Sequence, residues 1–126
     1  VNVHLPADLK QMLDVIETQG LMRKAWEALQ EIAALKRAFL LQPMQARFLW
    51  SLAQGGYESA AMLVSAWQDC AQSEKAVSVH MRRLRVALAS SGIVIECEWG
   101  LGFRIRPRDL QLIRNVMAKG RQEAGL

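Results

Sequence analysis

The chain has 126 residues, a length at which one compact domain with at most an appendage is expected and a multidomain enzyme is not. Hydrophobic residues make up 52% and charged residues 22%, which excludes a chain kept disordered by its charge. The formal charge of +4 is compatible with a polyanionic partner but too mild to demonstrate one. The longest uninterrupted apolar stretch, Ala60–Val64, falls far short of the roughly 18 residues of a membrane span, and no charged-then-apolar leader opens the chain. A cytoplasmic location without a membrane partner is therefore expected, and Cys70 and Cys97 are expected to be free thiols. Val1 in place of Met is what a fragment of a longer protein would show.

The first 40 residues predict a helical arm. Leu9, Met12, Leu13 and Ile16 recur at i, i+3, i+4, i+7, and Pro6 or Asp8 suits the first turn. Gly20 predicts a break or bend. A longer helix to about Ala38 then carries Met22, Ala25, Trp26, Leu29, Ile32 and Ala33, with Leu35 and Phe39 widening the stripe. Lys24, Glu27, Glu31 and Arg37 fall largely off it, where a solvated face belongs. Residues 1–43 hold five basic and five acidic side chains, so the basic excess lies beyond the arm. The arm suits packing, either as a cap on the following unit or as a self-association surface.

At Gln42-Pro43 a new unit starts, since proline disfavours helix in the residue before it and suits a helix start. Met44–Gln54 reads as a helix closed by Gly55-Gly56, and Tyr57–Trp67 as a second with Ala60, Leu63, Val64 and Trp67 inward. Ser73 caps a third running to about Ala89, anchored by Val77, Met81, Leu84 and Leu88. Ile93–Trp99 is rich in β-branched and aromatic residues, Gly100-Leu101-Gly102 is a tight turn, and Phe103–Arg106 alternates apolar with basic, which together predict a hairpin. Pro107 stops its second strand. Asp109 can cap a last helix through Leu110, Ile113, Val116 and Met117 to near Gly120.

Three helices followed by a two-stranded hairpin is the order of a winged helix-turn-helix, in which the last helix enters the major groove. The fold expected is mainly α with a small β-hairpin wing: a helical arm over 1–40, a winged-helix DNA-binding unit over 41–106, and a C-terminal helix and tail over 107–126. The third helix, 73–89, leaves Lys75, Ser78, Val79, Arg82, Arg83, Arg85 and Val86 off its anchor. Arginine pairs bidentately with guanine and contacts phosphate oxygens, so Arg82, Arg83 and Arg85 are the foremost candidates, although a merely solvated basic face has the same spacing. Trp26, Trp50 and Trp67 read as core residues. His4, His80 and the two cysteines lack zinc-site spacing, and neither a phosphate loop nor a nucleophile elbow occurs, so no metal, cofactor or enzymatic activity is expected.

The run Val77-Ser78-Val79-His80-Met81-Arg82-Arg83-Leu84-Arg85, then Ile93–Ile95 and Gly100-Leu101-Gly102-Phe103-Arg104-Ile105, resembles the effector domain of OmpR/PhoB-type transcriptional regulators. The likeness covers about residues 41–106, because Leu41-Gln42-Pro43-Met44-Gln45 resembles the family's opening. It implies a sequence-specific regulator of double-stranded DNA. Arg83 would read a base, Val79 would touch a thymine methyl or a sugar, and Lys75, His80, Arg82 and Arg85 would meet phosphate. Trp99 stands where some members carry a minor-groove arginine, and Trp99 and Arg104 are the wing's candidates. Residues 1–40 show neither a receiver domain nor the family's leading strands, so phosphorylation control is not expected. A homodimer through the N-terminal helices is expected, since linked winged helices gain effective concentration on paired half-sites. The alternative is a winged-helix interaction module that binds a protein such as RNA polymerase or another regulator through Trp99, the acidic wing and the arm.

Overall fold

The computed structural model describes residues 7–68 and 73–125. Among them are α1 (Ala7–Phe39), α2 (Pro43–Leu52), α3 (Ala60–Ala66), α4 (Glu74–Leu88), the strands β1 (Ile95–Glu98) and β2 (Gly102–Ile105), and α5 (Leu110–Glu123). The architecture is mostly helical with one small antiparallel hairpin, in the register Ile95↔Ile105, Cys97↔Phe103. The expected break at Gly20 is absent, and α1 is continuous over 33 residues, about 50 Å. A lone glycine costs about 1 kcal/mol of helix propensity but keeps its N–H and C=O, so the ladder passes through it.

One core joins the elements. Leu35 of α1, Phe48, Leu49 and Leu52 of α2, Leu63 of α3 and the α4 quartet Val77, Met81, Leu84 and Leu88 are buried together with Ile95, Ile105 and Ile113. Side chains of this kind each stabilise a fold by about 1.5–3 kcal/mol when fully buried. Gly120 lies inside α5 and does not end it: a Cβ there would stand 2.4 Å from Ala34 Cβ, so the glycine lets α5 close on α1. Arg114 of α5 donates to the carbonyls of Ala53 and Gln54 beyond α2. Glu31, expected on a solvated face, is buried instead. It accepts from Trp50 Nε1 at 3.2 Å and pairs with Arg121 at 3.3 Å, which ties α1 to both α2 and α5. Trp50 and Trp67 pack edge to face on the core, whereas Trp26 stands half exposed on the arm, contrary to its reading as core.

Element ends have local causes. Leu40 takes a left-handed conformation, φ 53°, and the Leu41 N–H returns to the Lys36 carbonyl, closing α1 in a Schellman-type turn. Pro43 opens α2, and Gln45 Oε1 accepts the Gln42 N–H. Ser59 Oγ and Ser73 Oγ accept from the Met62 and Ala76 amides at the starts of α3 and α4. The helix expected from Tyr57 is α3, and it begins three residues later, at Ala60, because Glu58 is taken by the hairpin. Glu58 and Phe103 exchange both backbone hydrogen bonds at 2.8 Å. A Cβ on Gly102 would stand 2.3 Å from the Glu58 carbonyl oxygen, so this pairing requires glycine there.

Asp109 precedes α5 as expected but makes no side-chain cap. Its carboxylate accepts from the Val94 amide at 2.9 Å and from Arg106 Nε at 2.9 Å, pinning the entry of the hairpin to its exit. The Arg106 hydrogen bond holds this carboxyl below its ordinary range. A depressed folded-state pKa gives stability that is complete above the unfolded-state pKa and lost as pH falls through the folded one. Asp109→Asn should therefore cost about 1–2 kcal/mol in urea unfolding at pH 7, and the deficit should shrink on acidification below about pH 4. Leu40 is 88% exposed, so Leu40→Gly removes little packing and relieves the left-handed strain. The variant should be more stable by about 1 kcal/mol in the same assay.

Candidate nucleic-acid interface

The quartet Val77, Met81, Leu84 and Leu88 buries one side of α4, and at about 100° per residue this sets what the other side shows. Lys75, Val79, Arg82, Arg83 and Val86 occupy the exposed face opposite the core. Among the described residues, Lys75, Arg82 and Arg83 form no ion pair with a carboxylate. By contrast, several cations of other elements are paired with carboxylates: Arg104 with Glu96, Arg106 with Asp109 and Arg121 with Glu31. The α4 face is thus a patch of positive charge with an apolar strip, Val79 and Val86, running through it.

Three candidates sit at its margins. Arg85 leans toward the hairpin, its guanidinium 5.9 Å from the centre of the Phe103 ring. His80, on the opposite flank, is half-buried with its ring edge-on to Phe48 at 5.8 Å. Ser78 is exposed, and its hydroxyl donates to the Glu74 carbonyl one turn back at 3.4 Å.

The hairpin separates its charges from the α4 face by its pleat. Ile95, Cys97, Phe103 and Ile105 share the side that meets the core and Arg85, so Glu96, Glu98 and Arg104 lie on the other. Arg104 Nε is 2.8 Å from Glu96 Oε1, and its guanidinium stacks 4.7 Å above the Tyr57 ring. Arg104 is therefore not brought to the α4 face, and neither are the two acids. Burial pushes the Glu58 carboxyl above its ordinary range. Trp99, at the hairpin tip beside Gly100, is 97% exposed. Cys97 is an exposed free thiol, while Cys70 and His4 lie outside the described residues.

Tyr57 and Glu58 were not legible as part of this region. They join it through contacts with Phe103 and Arg104 more than 40 positions away, and neither periodicity nor spacing reports such a pairing. Among the described residues no group of three or more His, Cys, Asp or Glu side chains could hold a metal ion, and no helix is long and apolar enough to cross a membrane. Comparison with protein-family models, with curated proteins and with solved structures finds no match to the chain.

Proposed function

We propose that the chain is a sequence-specific double-stranded DNA-binding transcription regulator, a winged helix-turn-helix of the cytoplasm whose α4 enters the major groove while the hairpin lies along the duplex. The observation that carries this reading is the exposed α4 face, where Lys75, Arg82 and Arg83 form no ion pair among the described residues and lie beside the exposed Val79. A helix fits the major groove, an arginine there pairs with guanine O6 and N7, and an apolar side chain meets a thymine methyl. Arg83 is the assigned base reader, with Lys75, Arg82 and Arg85 on phosphate. Arg85 also lies beside the hairpin, 5.9 Å from the centre of the Phe103 ring. Glu96 and Glu98, on the hairpin face turned from α4, leave that positive patch unbroken.

One observation favours a second reading. Trp99 presents nearly its whole indole to solvent beside a half-exposed Leu101 and the acid Glu98, a tip suited to a protein such as a polymerase subunit or another regulator. Under the DNA reading the same indole packs on sugar. Trp99→Ala then weakens duplex binding severalfold, and under the second reading it leaves duplex binding unchanged.

The assignment within α4 is tested by substitution against duplexes selected from a random library. Arg83→Ala should cost about 1–3 kcal/mol on the selected sequence and relax preference at one base pair. Lys75→Ala should weaken all sequences alike and lower the salt slope by about one. Equal losses on selected and random DNA from Arg83→Ala would remove Arg83 from base reading.

A further inference from the structure

The first two-thirds of α1, as far as Leu29, carries an apolar face that no described part of the chain covers. Met12, Val15, Ile16, Met22, Trp26 and Leu29 are each between half and two-thirds exposed. With Gln19 they form the series Met12, Val15, Gln19, Met22, Trp26, Leu29, whose steps alternate three and four residues, the spacing of a two-stranded coiled-coil seam. This seam is not the face that α1 uses on its own globule. Glu31, Ala34 and Leu35 point inward there, roughly 140° around the helix axis from the seam at about 100° per residue. The chain's own core therefore cannot take up the seam without turning the helix.

The surroundings of the seam fit a second copy of the same helix. Its flanking positions are Gln11, Ile16, Thr18, Arg23, Ala25 and Gln30, with Arg23 as their one charge, and that guanidinium is held by Glu27 of its own helix at 3.4 Å. Two copies can thus approach without setting like charges against each other. The charges of alternating sign, Lys10, Glu17 and Lys24, fall on the side away from the seam. Six large side chains at this exposure offer on the order of 600 Å² per copy, near the roughly 800 Å² per partner of stable interfaces. Gln19 selects the orientation. In a parallel, in-register pair it meets the partner subunit's Gln19, and each amide supplies a donor and an acceptor to the other. In an antiparallel pair over the same span it faces a methionine, and its polar atoms go unpaired.

We propose that α1 pairs with a second copy as a parallel, in-register coiled coil over Met12–Leu29, with Gln19 as the polar layer. Both globules then lie at one end of the coil. Under the DNA reading this places two α4 faces where one duplex can meet them, but the association itself does not rest on that reading.

The test uses the full chain without nucleic acid. Light scattering should give twice the 14.2 kDa mass, and Met22→Glu should raise the dimer dissociation constant at least tenfold while leaving the helical circular dichroism of the globule in place. Orientation is read from Met12→Cys in a chain carrying Cys70→Ser and Cys97→Ser. A parallel pair sets the two new thiols within disulfide reach, and oxidation yields a covalent dimer. An antiparallel pair holds them about 25 Å apart and yields none. A monomer at about 100 μM, or a dimer indifferent to Met22→Glu, overturns the seam. A dimer that fails to cross-link at position 12 overturns the parallel register. Either failure leaves duplex binding by α4 untouched, so the two readings are judged separately.

Discussion

The rotation of α4 about its own axis is the constraint on which the rest of the account depends. Val77, Met81, Leu84 and Leu88 all enter one core with Phe48, Leu49 and Leu63, and burying four such side chains leaves the helix a single rotational setting. That setting presents Lys75, Arg82 and Arg83 to solvent, and no ion pair among the described residues holds them there. A polar substitution within the quartet would disorder the positive face by releasing the helix, even though it touches no cation. The hairpin is tied to the same core through Ile95 and Ile105, to the α2–α3 connection through Glu58, and to α5 through Asp109. Helix and hairpin are therefore held relative to each other from several sides.

Much of this was legible in the residues, for reasons that differ by element. The α4 quartet, its Ser73 cap and the Gly100–Gly102 turn are local features, and the period of 3.6 and the change to a period of two report them directly. What escaped was non-local. Gly20 and Gly120 look alike in sequence, yet one is exposed within a continuous helix and the other allows α1 and α5 to touch. Asp109 has the position of a cap, and its carboxylate is claimed instead by Val94, 15 residues earlier, and by Arg106. Glu31 looks like a surface acid until Trp50 and Arg121 are folded against it.

The arm shows why one helix can mislead a reading of amphipathicity. Its inner third is apolar toward the globule and its outer two-thirds are apolar on a different side, so the helix has no single hydrophobic direction along its length. Taken as one stripe, it suggests a cap on the core. Taken as two, it separates a packing face from a seam and gives the exposed Trp26 a place. The division also keeps the arm's chemistry apart from that of α4: one surface is nearly free of charge and the other is built from cations.

The most direct measurement of the central claim is a titration of the full chain against random-sequence duplex at several salt concentrations, followed by selection of bound sequences from a pooled library. Three α4 cations on phosphates predict that log K falls with log salt at a slope of about −3 per copy, with a defined sequence motif enriched. Weak binding with little salt dependence and no enriched motif would contradict the account, leaving the α4 patch a solvated face.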